Sequence, residues 1–120
     1  MLYTEELLEH YRNPQNFRVM SAPTQHITLR NPLCGDVITL FVHVRNQKVK
    51  DATFQGEGCA ISTASASIFT EYMKGKSLSE LQKIDQRRMM DIIGIEVSPG
   101  RIKCLLLPLE AVKRALAKIV

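Results

Sequence analysis

Three cysteines and one aspartate have the chemistry and the positions to form a metal or sulfur-handling site in this sequence. Cys34 and Asp36 lie on a loop ahead of a predicted strand, whereas Cys59 and Cys104 each immediately precede a predicted helix. Three thiolates and one carboxylate make a four-coordinate set suited to Zn²⁺. The carboxylate is the harder and weaker donor among soft sulfurs, so we expect Asp36 to be the ligand that leaves first.

The surroundings of the cysteines favour the thiolate form. A helix amino terminus carries partial positive charge, which predicts stabilised thiolates at Cys59 and Cys104. Arg101 and Lys103 flank Cys104 and add to this effect. The sequence has no C-x-x-C pair, however, and free cysteines are commonly small buried hydrophobic residues. From the residues alone, a shared metal site and three buried cysteines remain alternatives.

Composition predicts one globular domain spanning residues 1–120, because 45% of the residues are hydrophobic and 23% are charged. An odd cysteine count without a signal peptide argues against a disulfide framework, and we expect a cytoplasmic protein. No apolar run reaches membrane-spanning length, so no membrane partner is predicted. The net charge is +4, but the basic residues are scattered and not interleaved with aromatic ones. This pattern predicts no nucleic-acid partner, and it suits an acidic protein partner.

Hydrophobic periodicity predicts an α+β fold, with a three-stranded antiparallel sheet and helices packed on one face. A short helix carrying Leu7 and Leu8 opens the chain. The predicted strands cover 26–30, 37–44 and 49–54. The predicted later helices run from after Cys59 to Lys74, from the capping box of Ser77 and Glu80, from Asp85 to Gly94, and from Leu105 to about Lys118. Pro108 is expected in the first turn of the last helix.

Several motifs resemble the IscU/SufU/NifU amino-terminal family over essentially the whole chain. They are Glu9–Phe17 (EHYRNPQNF), Asn31–Asp36 (NPLCGD), Phe54–Ser62 (FQGEGCAIS), Gly75–Ser77 (GKS) and Arg101–Cys104 (RIKC). The resemblance implies an α+β fold and a role in building iron–sulfur clusters. It also implies that Cys34, Asp36, Cys59 and Cys104 are the ligands of one metal site.

The sequence combines features of two branches of that family. IscU-like scaffolds carry histidine directly before the third cysteine. This chain has Lys103 at that position, as SufU-like members do. SufU-like members hold zinc and accept sulfur from a cysteine desulfurase. The short segment between Cys59 and Cys104 instead matches IscU-like spacing. Val97–Arg101 replaces the proline pair of the IscU-like chaperone loop, so recruitment of a dedicated chaperone is not expected. The three histidines fall on no family ligand position, and we expect them to be structural or exposed: His10, His26 and His43.

The resulting hypothesis is a zinc protein that accepts persulfide sulfur from a SufS/IscS/NifS-like cysteine desulfurase and serves downstream cluster acceptor proteins. Cys34 is the expected catalytic acceptor, because its loop position lets the side chain swing outward. One alternative is an IscU-like scaffold for iron or a transient [2Fe–2S] cluster. Another is a structural, zinc-stapled interaction domain. Whether the protein is a sulfurtransferase-like enzyme or a non-enzymatic scaffold stays open at this point.

Overall fold

The computed structural model describes residues 5–32, 35–94 and 97–119, and within them the predicted α+β architecture is confirmed. The strands are β1 (Gln25–Arg30), β2 (Val37–Arg45) and β3 (Lys48–Glu57), joined in the order β1-β2-β3 as an antiparallel sheet. The α-helices are α1 (Glu5–Arg12), α2 (Ala60–Met73), α3 (Leu78–Gln82), α4 (Gln86–Ile93) and α5 (Ile102–Ala117), and a 3₁₀ turn covers Pro99–Arg101. The predicted helix caps at Ser77, Asp85 and Gly94 are present.

The core lies between one face of the sheet and the helices. Alternation along β2 turns Ile38, Leu40 and Val42 toward this face, and all three are buried. Helix α2 packs mainly against β3, helix α5 packs against β1 and β2, and the two helices pack against each other. Burial of this apolar surface is the main source of stability, at about 25 cal/mol per Å². The largest fully buried side chains of α2 and α5 are Ile61, Phe69, Met73, Leu105, Val112 and Leu116.

The β2–β3 hairpin sets the register on which the candidate site depends. Its turn places Asn46 and Gln47 at positive φ angles of 53° and 64°, the combination of a type I′ turn, whose twist matches the flanking strands. Strand β3 runs to Glu57, three residues beyond the predicted end at 54, and pairs Glu57 with Val37. The sequence prediction stopped early because glycine and glutamate have low strand propensity. Pairing with β2 overrides that local preference.

Gly56 allows this extension. Its φ of 151° is a conformation that side chains rarely adopt, and a Cβ atom there would lie 2.0 Å from the carbonyl oxygen of Val37. The two backbones approach so closely that only glycine fits.

The segment between α1 and β1 forms no helix or strand but is attached to the rest of the fold at several points. Phe17 pairs with Phe54 of β3 as a parallel bridge, and the Asn16 carbonyl accepts a 2.9 Å hydrogen bond from the Phe54 amide. Arg18 forms a 2.8 Å ion pair with Asp51. Burial raises the pKa of Asp51, but hydrogen bonds and the Arg18 charge outweigh it and hold that pKa below its ordinary value. The segment therefore covers the outer edge of β3.

Helix α5 begins earlier than predicted, and this changes the position of two residues. The helix starts at Ile102, so Cys104 lies within its first turn and not ahead of it. Pro108 is consequently the seventh residue of the helix, and the prediction that it lies in the first turn was wrong. Apolar periodicity first becomes clear at Leu105, so the sequence pattern did not predict the first turn of α5. No helix within the described ranges is long and apolar enough to cross a bilayer.

A single substitution tests the close approach at Gly56. We expect Gly56→Ala to lower the free energy of unfolding by at least about 2 kcal/mol, because the methyl group would overlap the Val37 carbonyl. Urea denaturation measures the change. Gly100→Ala is the matched control, since a Cβ at Gly100 meets nothing within 4 Å, and it should stay within about 0.5 kcal/mol of the parent. Equal stabilities of the two variants would contradict the close approach.

Candidate metal centre

Asp36 lies at the entrance to β2, on a tight loop that follows β1. The Asn31 amide donates to the Asp36 carbonyl at 2.7 Å, and the Gly35 amide donates to the Asn31 carbonyl at 2.8 Å. Gly35 has a φ of 75°, which explains the glycine at this position. The loop buries Asp36 to 4% exposure, an unusual environment for a carboxylate. A buried carboxylate needs hydrogen-bond donors or a cation nearby.

Strand pairing places Cys59 beside this carboxylate. Glu57 pairs with Val37. Asp36 directly precedes Val37, and Cys59 follows Glu57 by two residues, so Asp36 and Cys59 lie next to each other. The Cys59 amide donates to Asp36 Oδ1 at 3.1 Å, and the Cys59 thiol lies 3.5 Å from Asp36 Oδ2. One carboxylate oxygen is thus fixed by the backbone while the other faces the sulfur.

Helix α2 begins directly after Cys59, which is its N-cap residue, as predicted. The Cys59 side chain makes no hydrogen bond to the free amides of the first turn. A helix start carries partial positive charge, which favours anionic ligands at this position. The cysteine position is therefore suited to a thiolate ligand and is not needed as a conventional cap.

Cys104 enters the site from the first turn of α5 and is only 2% exposed. Packing of α5 on α2 brings it there, and the Ser65 hydroxyl of α2 donates to the Leu105 carbonyl at 2.7 Å. One ligand atom from each of Asp36, Cys59 and Cys104 lies within 4.8 Å of the others. Neither Cys59 nor Cys104 forms a disulfide.

The donor set fits a tetrahedral metal ion. In a zinc site, sulfur lies about 2.3 Å and oxygen about 2.0 Å from the metal, which places sulfur and oxygen roughly 3.5 Å apart. The Cys59 sulfur and Asp36 Oδ2 have this separation of 3.5 Å. Two soft sulfurs with one carboxylate favour Zn²⁺ or iron over Mg²⁺ or Ca²⁺. These three described residues can therefore hold such an ion.

Cys34, the fourth predicted ligand and the predicted sulfur acceptor, lies outside the described residues. Its ligand and acceptor roles remain predictions. Chain order places it two residues before Asp36.

The predicted auxiliary residues are near the site in sequence but exposed. Arg101 ends the 3₁₀ turn and Lys103 belongs to the first turn of α5. Lys103 lines a groove beside the site, together with Arg30, Arg114 and Glu110. Arg114 and Glu110 pair at 2.7 Å. Arg30 and Lys103 form no ion pair with another described residue, so they add two positive charges to this rim.

None of the described histidines joins the group of candidate ligands. His10 Nδ1 lies 2.6 Å from the Ser67 hydroxyl, at the contact between α1 and α2. His26 and His43 are exposed on the sheet. Their expected structural or exposed character is in line with these positions.

Sequence reasoning missed Ser62. Its hydroxyl donates to the Cys59 carbonyl at 3.2 Å and lies 3.7 Å from the Cys59 sulfur. Ser62 is the third residue of α2, so its side chain folds back over the N-cap residue. A polar residue three positions after a cysteine at a helix start was the available signal. Gly58 belongs to the same cluster, since a Cβ there would lie 2.3 Å from Ser62 Oγ and 3.3 Å from the Asp36 carboxyl.

The chain matches the family model described as the NifU-like N terminal domain over residues 2–119, and it therefore belongs to that family. The resemblance drawn from the motifs is confirmed. The chain is 35% identical to the zinc-dependent sulfurtransferase SufU of Bacillus subtilis (strain 168), with 98% of this chain and 90% of that protein aligned. It is also 35% identical to the iron–sulfur cluster assembly scaffold protein IscU of Escherichia coli (strain K12), with 98% and 93% aligned.

Solved structures share the fold. A proposed iron–sulfur cluster assembly scaffold of the SUF system from Fervidobacterium islandicum AW-1 superposes with a TM-score of 0.82 at 26% identity, covering 95% of this chain and 96% of that one. The amino-terminal part of a NifU-like protein from Brucella abortus gives a TM-score of 0.83 at 21% identity, covering 98% and 93%, and shows the fold alone. The three-stranded sheet with its helices is thus the fold of this family.

Gly58 offers a test of how tightly the site is packed. Gly58→Ala should lower zinc affinity by at least about tenfold, because the new methyl group would displace either Ser62 or the Asp36 carboxyl. Competition with a chromophoric zinc chelator at neutral pH measures this. Gly100→Ala is again the control, and urea denaturation separates lost affinity from lost folding. Parent-like affinity in Gly58→Ala would show that the packing around Asp36 does not matter for the metal.

Proposed function

We propose that this protein binds one Zn²⁺ through Cys34, Asp36, Cys59 and Cys104 and accepts persulfide sulfur from a cysteine desulfurase during iron–sulfur cluster assembly. The observation that carries the proposal is the convergence of Asp36, Cys59 and Cys104 within 4.8 Å at the starts of two helices. Family membership and 35% identity to a zinc-dependent sulfurtransferase support it.

Charge at the site supports a bound cation. The Asp36 carboxylate and the Cys59 sulfur are 3.5 Å apart, and Asp36 is buried. Two negative charges at that distance repel by on the order of 5 kcal/mol at an effective dielectric constant of about 20. A cation between them turns this repulsion into attraction.

The reaction is a thiol–disulfide type exchange. A thiolate of this protein attacks the outer sulfur of a cysteine persulfide on the desulfurase, a new sulfur–sulfur bond forms, and the old one breaks. The desulfurase cysteine leaves as a thiolate and takes up a proton, so no external oxidant or reductant is needed. Zinc, when bound, keeps the acceptor thiols deprotonated and ordered.

Cys34 is the acceptor in this proposal. Cys104 is almost fully buried within a helical turn, and Cys59 is held between the Asp36 carboxyl and Ser62. Neither sulfur is free to reach outward without disturbing a helix start. Cys34 is placed on a loop by the sequence, and the neighbouring Gly35 adopts a φ of 75°. Asp36 is the ligand that leaves when sulfur arrives, since it is the weakest donor of the set.

The desulfurase is expected to approach over the basic side of the site. Arg30 and Lys103 are exposed on the rim of the groove beside Cys104, and the whole chain has a net charge of +4. This potential suits an acidic surface on the partner and would speed encounter at low salt. Downstream cluster acceptor proteins are the second proposed class of partner. Among the described residues Cys59 and Cys104 form no disulfide, which suits a reducing compartment, and we place the activity in the cytoplasm.

The second candidate is a scaffold on which a [2Fe–2S] cluster is assembled as cargo. The favouring observation is alignment length. The match to the IscU scaffold spans 121 positions, close to the 120 residues of this chain, whereas the match to the SufU relative spans 134 and so requires more gap positions. Protein isolated without oxygen separates the two: colourless protein with one zinc favours sulfur acceptance, and brown protein with iron and sulfide favours the scaffold. A structural zinc site would instead exchange its metal slowly.

Mapping the first sulfur tests the proposal. After brief anaerobic reaction with a cysteine desulfurase and free cysteine, an added mass of one sulfur should appear first on the peptide containing Cys34. Cys34→Ser should lose at least about nine-tenths of this early transfer, because a hydroxyl is a far weaker nucleophile than a thiolate.

Two controls accompany the mapping. Zinc content of Cys34→Ser shows whether lost transfer reflects lost metal. Ser67→Ala, a buried change in the middle of α2 and outside the group of candidate ligands, should transfer like the parent. Early sulfur on the Cys104 peptide would overturn the Cys34 assignment. Absence of sulfur on all three cysteine peptides would overturn the function.

A further inference from the structure

Ser62 has contacts that helix formation alone does not require. Its side chain is 7% exposed, and its hydroxyl lies between the carbonyl and the sulfur of Cys59, at 3.2 and 3.7 Å. The Cys59 carbonyl already accepts the first hydrogen bond of α2, from the Thr63 amide at 3.1 Å. The bond from Ser62 to that carbonyl is therefore additional, and the hydroxyl can give it up at little cost to the helix.

The number of protons decides which contact Ser62 makes. A hydroxyl has one hydrogen to donate, and a thiol has one as well. In the thiol form, the Cys59 sulfur can donate to Asp36 Oδ2 or to Ser62, while Ser62 donates to the carbonyl. A thiolate bound to a metal has no hydrogen and can only accept. Rotation of the Ser62 hydroxyl about its own Cβ–Oγ bond then turns the same contact into a bond from oxygen to sulfur.

We propose that Ser62 is a positioning residue that donates a hydrogen bond to the metal-bound Cys59 thiolate and weakens the hold of that sulfur on the metal. A hydrogen bond to a coordinated thiolate withdraws charge from the sulfur, so less charge is donated to the metal. This inference rests on the metal site of the proposed function. It adds a reason why the proposed site would release its metal. A neutral hydrogen-bond donor at the start of α2 weakens the bond between the metal and the half-buried Cys59 sulfur.

The test uses Ser62→Ala with Zn²⁺ and Co²⁺ as probes. Removing the donor makes the sulfur more electron-rich, so zinc release to an excess of chelator should slow by roughly threefold or more. In the cobalt-loaded protein, the sulfur-to-metal charge-transfer absorption should move to lower energy. A purely structural role would give the opposite kinetic result, because loosening the start of α2 would speed release.

Ser67→Ala is the matched control. Ser67 lies on the same helix, is fully buried and loses its contacts to His10 and the Gln15 amide, all away from the candidate ligands. It should change neither the release rate nor the absorption band. Unchanged or faster release in Ser62→Ala, or an unmoved band, would overturn the role of Ser62. Failure of the parent protein to bind either metal would instead overturn the metal site itself.

Discussion

The pairing of β2 with β3 at Val37 and Glu57 is the contact on which the candidate site depends. This pairing sets the position at which β3 ends and α2 begins, and it therefore places Cys59 beside Asp36. A slip of one residue would exchange the two faces of β3 and carry its buried side chains to the outside. This register requires glycine at position 56, because the backbone of β2 lies too close to Gly56 for any side chain to fit. The hairpin register therefore brings Asp36 and Cys59 together, and packing of α5 on α2 adds Cys104.

The remaining ligands are placed by helix starts. Cys59 caps α2 and Cys104 lies in the first turn of α5, so both sulfurs sit where backbone amides point outward and partial positive charge favours anions. The buried carboxylate of Asp36 shares this environment. Because each ligand comes from a different element, metal binding couples the sheet to both long helices and should stabilise the fold. In the proposed site, a weakly binding Asp36 and a hydrogen bond from Ser62 to the Cys59 sulfur would ease release of the metal.

Sequence patterns predicted most of the fold because its elements follow strong local rules. Alternating apolar and polar residues predicted β2, the capping box of Ser77 and Glu80 predicted the start of α3, and Gly94 predicted the end of α4. Long-range contacts caused the errors. β3 continues through residues of low strand propensity, and α5 begins in a turn without apolar periodicity, which shifted Cys104 and Pro108 along the helix.

The site was predictable to a similar extent. Motif resemblance pointed to Asp36, Cys59 and Cys104, and the structure brings them together, but no residue pattern revealed how Asp36 is oriented. Ser62 was missed because its contacts with Cys59 follow from the backbone turn at the start of α2 and not from its type alone. Cys34, and the extent of the domain over residues 1–120, stay predictions.

The central claim is that one metal ion binds a mixed sulfur and oxygen set built around Asp36, Cys59 and Cys104. X-ray absorption at the zinc edge of the zinc-loaded protein tests it most directly. The account predicts three sulfur scatterers at about 2.3 Å and one oxygen scatterer at about 2.0 Å. A shell of oxygen and nitrogen alone, or of four sulfurs, would contradict it.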